Sequence, residues 1–231
     1  MSSADPRSDS GADTAADTDA WARETEEKVL LAALPLAAAE GWTTRLVRRA
    51  GAAVGLSPGE IELLLPNGPA DLAALLSRRH DARTMAHLAG QDPQALKIRE
   101  RIRLAVETRL DMAALDEAAL RRCAGFLALP PNVPLGARLT WESADQLWRW
   151  AGDTATDENH YSKRAILSGI LTGALAIRMA SGRGASMDFV DARIANVMSF
   201  EKWKATTRLR PSAAVRQVAE TLGRMRYGRT G

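Results

Sequence analysis

Cysteine, aromatic residues and long hydrophobic runs are all scarce in this chain of 231 residues, and each scarcity excludes something. The one cysteine, Cys123, rules out an internal disulfide and a cysteine-built zinc site, and suits a reducing compartment. Aromatics are only 5% of the chain, while Ala, Leu and Arg dominate, so an all-β fold is a poor fit. No stretch reaches the roughly 18 to 20 apolar residues of a bilayer span, so none is expected to cross a membrane. The first twenty residues have neither the apolar core of a signal peptide nor the Arg-rich, acid-poor make-up of a transit peptide. A cytoplasmic location is therefore expected.

Catalytic signatures are scarce too. There is no ExxH pair to ligate a di-iron centre, no GxSxG elbow, no P-loop and no GxGxxG turn. His80 and His87 stand seven apart, about 10 Å along a helix and too far to share one metal ion without other ligands. They are expected as exposed or capping residues. Cys123 has Arg121 and Arg122 beside it, but its apolar neighbours predict a buried, structural thiol. No enzyme activity, cofactor or metal is expected.

What is present is helix after helix. From about residue 24, apolar residues recur at intervals of three and four, as in KIRERIRLAVETRL, where Ile98, Ile102, Ala105, Val106 and Leu110 share a face. Breakers at Gly41, Gly55 to Gly59, Pro66 to Pro69, Asp92-Pro93, Pro130 to Pro134, Gly152 to Asp157 and Ser181 to Gly184 leave about nine helices. Pro35 lies inside an apolar run and is expected to kink or interrupt the first helix. Charge is uneven. Residues 1–27 carry eight acidic and two basic side chains, residues 202–231 one acidic and eight basic. The expected layout is a disordered acidic tail at 1–23, a helix-turn-helix region at 24–68, a helical bundle at 69–205 and a basic amphipathic segment at 206–231.

The segment from Thr43 to Leu65 has helix-turn-helix spacing: Gly51, Gly55 four on and Ile61 six further, with Val47, Ala50, Val54, Leu56 and Leu64 apolar around them. A small residue at 51 lets two helices cross closely, and Gly55 can take a positive φ. The second helix offers DNA almost nothing. Its exposed candidates are Ser57, Glu60 and Glu62, and carboxylates are repelled by phosphates. DNA is not an expected partner, although Arg45, Arg48 and Arg49 on the preceding helix could touch a phosphate backbone.

Two further stretches stand out. Residues 165–177, AILSGILTGALAI, contain no charge, and Ala165, Gly169 and Gly173 stand four apart as a small-residue stripe beside Ile166, Ile170, Leu171 and Leu175. Interior helical glycines cost about 1 kcal/mol each against Ala, so they need a reason. Either tight helix packing or the wall of an apolar ligand tunnel supplies one. Residues 212–225 place Val215, Val218, Ala219, Leu222 and Met225 on one side and Arg216, Glu220 and Arg224 opposite, a modest amphipathic helix that anionic lipid would attract. A merely solvated basic tail is the other reading.

An N-terminal helix-turn-helix followed by a longer bundle has the outline of the TetR regulators. The strings AALPLAAAEGWT (32–43), GLSPGEIELLLPNGPADL (55–72), LKIRERI (96–102), WRWAGDTATDENHYSKRAIL (148–167) and RIANVMSFEKWKA (193–205) resemble more closely the ninth coenzyme-Q-biosynthesis protein family. That resemblance implies an all-α, TetR-like fold without DNA binding that holds an isoprenoid lipid or quinone intermediate in its bundle. It implies no catalysis. It also implies a seat on the inner membrane surface and presentation of the aromatic head to a ring hydroxylase, a di-iron enzyme for the mitochondrial members. On this reading Ile166, Gly169, Ile170, Leu171, Gly173 and Leu175 form the lipid site. His160, Tyr161, Lys163 and Arg164 form the partner-docking patch, with His160 at a Trp-like position and Glu158 at a commonly apolar one. Val215, Arg216, Val218, Leu222, Arg224 and Met225 bind the membrane. A ligand-sensing repressor is the alternative, and a homodimer, as in TetR regulators, stays open.

Overall fold

A computed structural model describes the backbone of residues 10–153 and 158–206, and side-chain surroundings at 18–153 and 160–196. Among the described residues there is no strand, and eight α-helices follow one another. They are α1 (Ser10–Glu40), α2 (Thr44–Ala53), α3 (Pro58–Leu64), α4 (Pro69–Leu88), α5 (Ile98–Ala114), α6 (Glu117–Leu127), α7 (Val133–Trp150) and α8 (Glu158–Thr206). Short 3-10 turns at Pro93–Ala95 and Pro130–Asn132 lead into α5 and α7. The chain is all-α, as its composition and periodicity imply.

Local chemistry sets the helix ends. The Thr43 hydroxyl accepts from the Leu46 N–H at 3.2 Å and starts α2. Ser57 and Glu60 make a reciprocal capping box around Pro58, so α3 starts sharply. Between them Gly55 takes φ +86°, as the turn requires. A Cβ on Gly51 would lie 2.5 Å from Ile61 Cδ1 and Cγ1, so the absent side chain is what lets α2 and α3 cross. The Trp42 indole N–H donates to the Pro69 carbonyl at 2.8 Å and ties this unit to α4.

Two apolar clusters meet along α4. The first joins α1 (Val29, Leu30, Ala33, Ala37) to α2, α3, the start of α4 (Leu72, Leu76) and α6 (Ala119, Cys123). The second joins α5 (Ile102, Ala105, Val106, Leu110) to α7 (Ala144, Leu147) and α8 (Leu167, Ile170, Leu171, Ala174, Met187, Val190).

Four expectations are corrected. Helix α1 begins at Ser10, inside the stretch expected to be disordered; its Ala-rich sequence favours a helix, and acids near an N-terminus suit the helix dipole. Pro35 does not interrupt α1, because Pro35 and Leu31, whose carbonyl it frees, both face solvent. His80 is 1% exposed, buried by the packing of α4 rather than sitting at the surface; His87 is exposed, in the last turn of α4. The stretch His160–Asn196 is by length and composition long and apolar enough to cross a membrane, because an apolar window can extend past the thirteen uncharged residues.

That stretch is not one straight rod. Gly182 adopts φ 84° and ψ −172° inside α8, and the chain doubles back there. Gly173 and Phe189 would be about 24 Å apart on a continuous helix. Instead a Cβ on Gly173 would meet Phe189 Cζ at 2.8 Å. The returning arm is pinned to α5 by Arg103 Nε on Asp191 (2.7 Å) and by Arg183 on Asp111 and Glu107.

Candidate functional site

The bundle encloses a cavity of about 560 Å³ between α4, α5, α6, α7 and the first arm of α8. That is within the range of about 300–1,000 Å³ typical of small-molecule sites. Its wall is mostly aliphatic: Ala73 and Leu76 from α4, Leu110 from α5, Leu120, Cys123 and Leu127 from α6, Val133 and Leu139 from α7, and Leu171, Leu175 and Met179 from α8. Gly136, whose missing side chain faces Leu127, also lines it. Val133, Ala137, Thr172 and Ala176 are exposed, so the cavity opens where the start of α7 passes the middle of α8. Leu76, His80, Leu110, Ser143 and Leu171 are buried and form the floor.

The floor carries polar groups. Arg109 Nε donates to Asp81 Oδ1 at 2.6 Å, the Ser143 hydroxyl donates to the same carboxylate at 2.8 Å, and Arg109 Nη2 reaches Ser77 Oγ at 3.5 Å. His80 Nε2 faces Asp116 Oδ2 at 3.0 Å, and Arg83 donates to that same oxygen at 3.1 Å. Burial, aided by the Arg109 charge, lowers His80 to about 4 despite Asp116, so its imidazole is neutral at pH 7. Burial also pushes the Cys123 thiol up to about 12, in keeping with a structural cysteine.

The residues singled out in 165–177 divide. Leu171 and Leu175 line the cavity. Ile170 is buried in the second cluster and does not line it, and Gly173 makes room for Phe189. Gly169 meets nothing within 4 Å, and Ile166 is 44% exposed. Helical spacing showed an apolar face but not which neighbour each position meets. The polar floor was missed for the same reason: Ser77, His80, Arg109 and Ser143 come from three helices. The available signal was the polar set His80, Asp81 and Thr84 on the face of α4 that carries Leu72, Leu76 and Leu88.

A second feature lies at the start of α8. Tyr161 is 64% exposed, its ring 6.3 Å from that of Trp141 and 5.2 Å from that of His160. Lys163 pairs with Asp153 at 2.7 Å and sits over the Trp148 ring. Arg164 differs from the exposed anchor that was expected. It is 1% exposed, with Nε on Asp145 at 2.5 Å and Nη1 on Asp153 at 2.9 Å. Burial alone would raise Asp153, but the Lys163 and Arg164 hydrogen bonds outweigh it and hold the carboxyl below its ordinary value. Arg164 Nη1 also donates to the His160 carbonyl at 3.2 Å, so Arg164 ties the first turn of α8, next to Tyr161, to Asp145 of α7. Val215, Arg216, Val218, Leu222, Arg224 and Met225 lie outside the described residues. Among the described residues no group of three or more His, Cys, Asp or Glu side chains could hold a metal ion.

Fold and site thus define an all-α bundle around an apolar-walled cavity with a polar floor. A family model described as COQ9 matches residues 133–201, from the cavity mouth on α7 to the returning arm of α8. The chain is 28% identical over 176 residues to the ubiquinone biosynthesis protein COQ9, mitochondrial, of Bos taurus, covering 73% of this chain and 54% of the bovine protein. It is 28% identical over 174 residues to the Homo sapiens protein of that name, covering 73% and 54%. To the Xenopus tropicalis protein it is 31% identical over 120 residues, covering 52% and 35%. The chain spans about half the length of the curated relatives it matches. These matches bear out the resemblance read from the sequence: the chain is similar to the COQ9 proteins over about three quarters of its length.

Proposed function

We propose that this chain is a non-catalytic accessory protein of ubiquinone biosynthesis that binds an isoprenoid quinone intermediate in its bundle and supplies it to a ring hydroxylase at a membrane surface. The observation that carries the reading is the cavity of about 560 Å³, aliphatic-walled and open at one end, in a chain similar to ubiquinone biosynthesis proteins over 73% of its length. An apolar-walled pocket of that size suits an amphiphile such as a prenylated quinone. Tyr161, exposed and stacked on Trp141, supports docking of the hydroxylase, since exposed Tyr is a frequent interface anchor. The outward face of the apolar stretch in α8 and the eight basic residues of 202–231 support contact with anionic lipid.

The test is the quinone profile of cells lacking the protein, by extraction and mass spectrometry, beside a complemented strain. Loss of ubiquinone with build-up of one under-hydroxylated prenylated intermediate is expected. An unchanged profile overturns the reading. The α2–α3 helix-turn-helix favours a ligand-sensing repressor as a second reading, which predicts specific DNA binding that weakens with salt. Glu60, Glu62 and the 85%-exposed Leu63 on α3 weigh against it.

A further inference from the structure

We infer that the cavity takes its ligand head-first: an amphiphile with a hydrogen-bonding head, such as a phenol or quinone, places that head against Ser77, Arg109 and Ser143 at the floor, its apolar tail leading out past Val133 and Ala176. The inference rests on the lipid-binding reading above and adds the orientation. The polarity runs from inside to outside. Ser77, His80, Arg109 and Ser143 lie at the deep end, where Ser143 is 3% and His80 1% exposed, while Val133, Ala137 and Ala176 at the mouth are apolar; the hydroxyls of Thr140 and Thr172, which also line the cavity, donate to the Gly136 and Ser168 carbonyls of their own helices.

A tail-first ligand would put hydrocarbon against the Arg109–Asp81 pair and leave the head among aliphatic side chains, which is unfavourable at both ends. Head-first binding matches each end to its like. The floor also has capacity to give. A guanidinium carries five N–H donors, of which the bonds to Asp81 and Ser77 use two, the second at a long 3.5 Å. A phenol oxygen or quinone carbonyl can accept from such a donor without breaking the pair to Asp81. With Asp81 facing Arg109 and His80 neutral, the floor favours a neutral polar head over a strongly anionic one.

The orientation has a consequence for handover. Tyr161 and Ala176 are separated by about 22 Å along the first arm of α8, so the mouth does not open at the aromatic patch. A head held at the floor is shielded from water and from any enzyme docked at Tyr161. The lipid then has to leave the cavity before its ring reacts.

Two probes that differ by one hydroxyl test this: 4-decylphenol and decylbenzene, each competing for an apolar fluorescent dye bound to the full-length protein. A purely apolar floor favours decylbenzene, because burying an unpaired hydroxyl is costly. Head-first binding predicts the reverse, with decylphenol at least about fivefold tighter. Ser77→Ala, at the edge of the network, should cut that preference to about twofold or less while leaving decylbenzene unchanged. Arg109→Lys, which keeps the charge facing Asp81, should do the same if the guanidinium fork is what reads the head. Decylbenzene binding as tightly as decylphenol in the wild type, or a preference that survives both substitutions, overturns the orientation and leaves the lipid cavity standing. Failure of both probes to displace the dye overturns the lipid-binding reading itself.

Discussion

Replacing Arg164 by Met removes a guanidinium from between two carboxylates and puts a side chain of similar length in its place. The Arg164 side chain is 2% exposed, that of Asp153 6% and that of Asp145 19%, so neither acid can recover much hydration when its partner goes. Removing one member of a buried pair costs about 3–5 kcal/mol, because a desolvated charge is left behind. Lys163 still reaches Asp153 and Arg149 still reaches Asp145, which places Arg164→Met at the lower end, about 3 kcal/mol. For a chain of this size that is a fall of about 6–12 °C in Tm. Thermal and urea unfolding should be compared for wild type, Arg164→Met, Asp153→Asn and the double variant. The double variant should be less destabilised than the two single losses added together, since no orphan charge remains at that position. The pH dependence has a fixed sign. Asp153 is held below its ordinary value of 3.8, so its contribution is present above that pH and is lost as pH falls through the lower folded-state value. The gap between wild type and Arg164→Met should therefore be full at pH 6 and narrow below about pH 4. A loss under about 1 kcal/mol at pH 7, the size expected of an exposed pair, would refute the reasoning and return Arg164 to the surface.

Gly51→Ala should destabilise by about 1–3 kcal/mol, since the new methyl meets Ile61 Cδ1 and Cγ1 at 2.5 Å. Adding Ile61→Ala, which leaves only a Cβ at 3.7 Å, should recover part of the loss in urea titrations; no recovery would mean that the helix crossing is not what Gly51 serves. Cys123, with its thiol pushed up to about 12, should resist maleimide at pH 8 in the native protein and react at once in urea; prompt native labelling would contradict its burial. His80 carries 6.5 when unfolded and about 4 when folded, so the unfolded chain takes up the proton first and stability falls between those values. His80→Gln should flatten that acid slope in urea midpoints measured from pH 7 to pH 4, and an unaltered slope would place the acid sensitivity elsewhere.

Much of the architecture was written in local patterns. Thr43, Gly51, Gly55, Ser57 and Pro58 specify α2, its turn and α3, because capping, a positive φ and close approach all act within a few residues. The break at Ser181 to Gly184 was legible for the same reason, and so was the buried state of Cys123 in its apolar run. Periodicity also announced an apolar face on residues 165–177. It could not say that Leu171 and Leu175 would face a cavity, Gly173 a phenylalanine sixteen residues on, and Ile166 solvent. Those assignments depend on which helix lies opposite.

Charged and titratable residues show the division most sharply. Arg164 and His80 have nothing in their neighbouring sequence that requires burial, since one follows a lysine and the other two arginines. Packing brought Asp145 and Asp153 around the first and Asp116 and Arg109 near the second, across separations of 11 to 36 residues. The sequence alone determined that the chain is helical, where its helices cap and turn, and which family it is similar to. The cavity, its polar floor and the exposure of Tyr161 were decided only by tertiary structure, because each is made of groups from different helices brought together by burial of apolar surface.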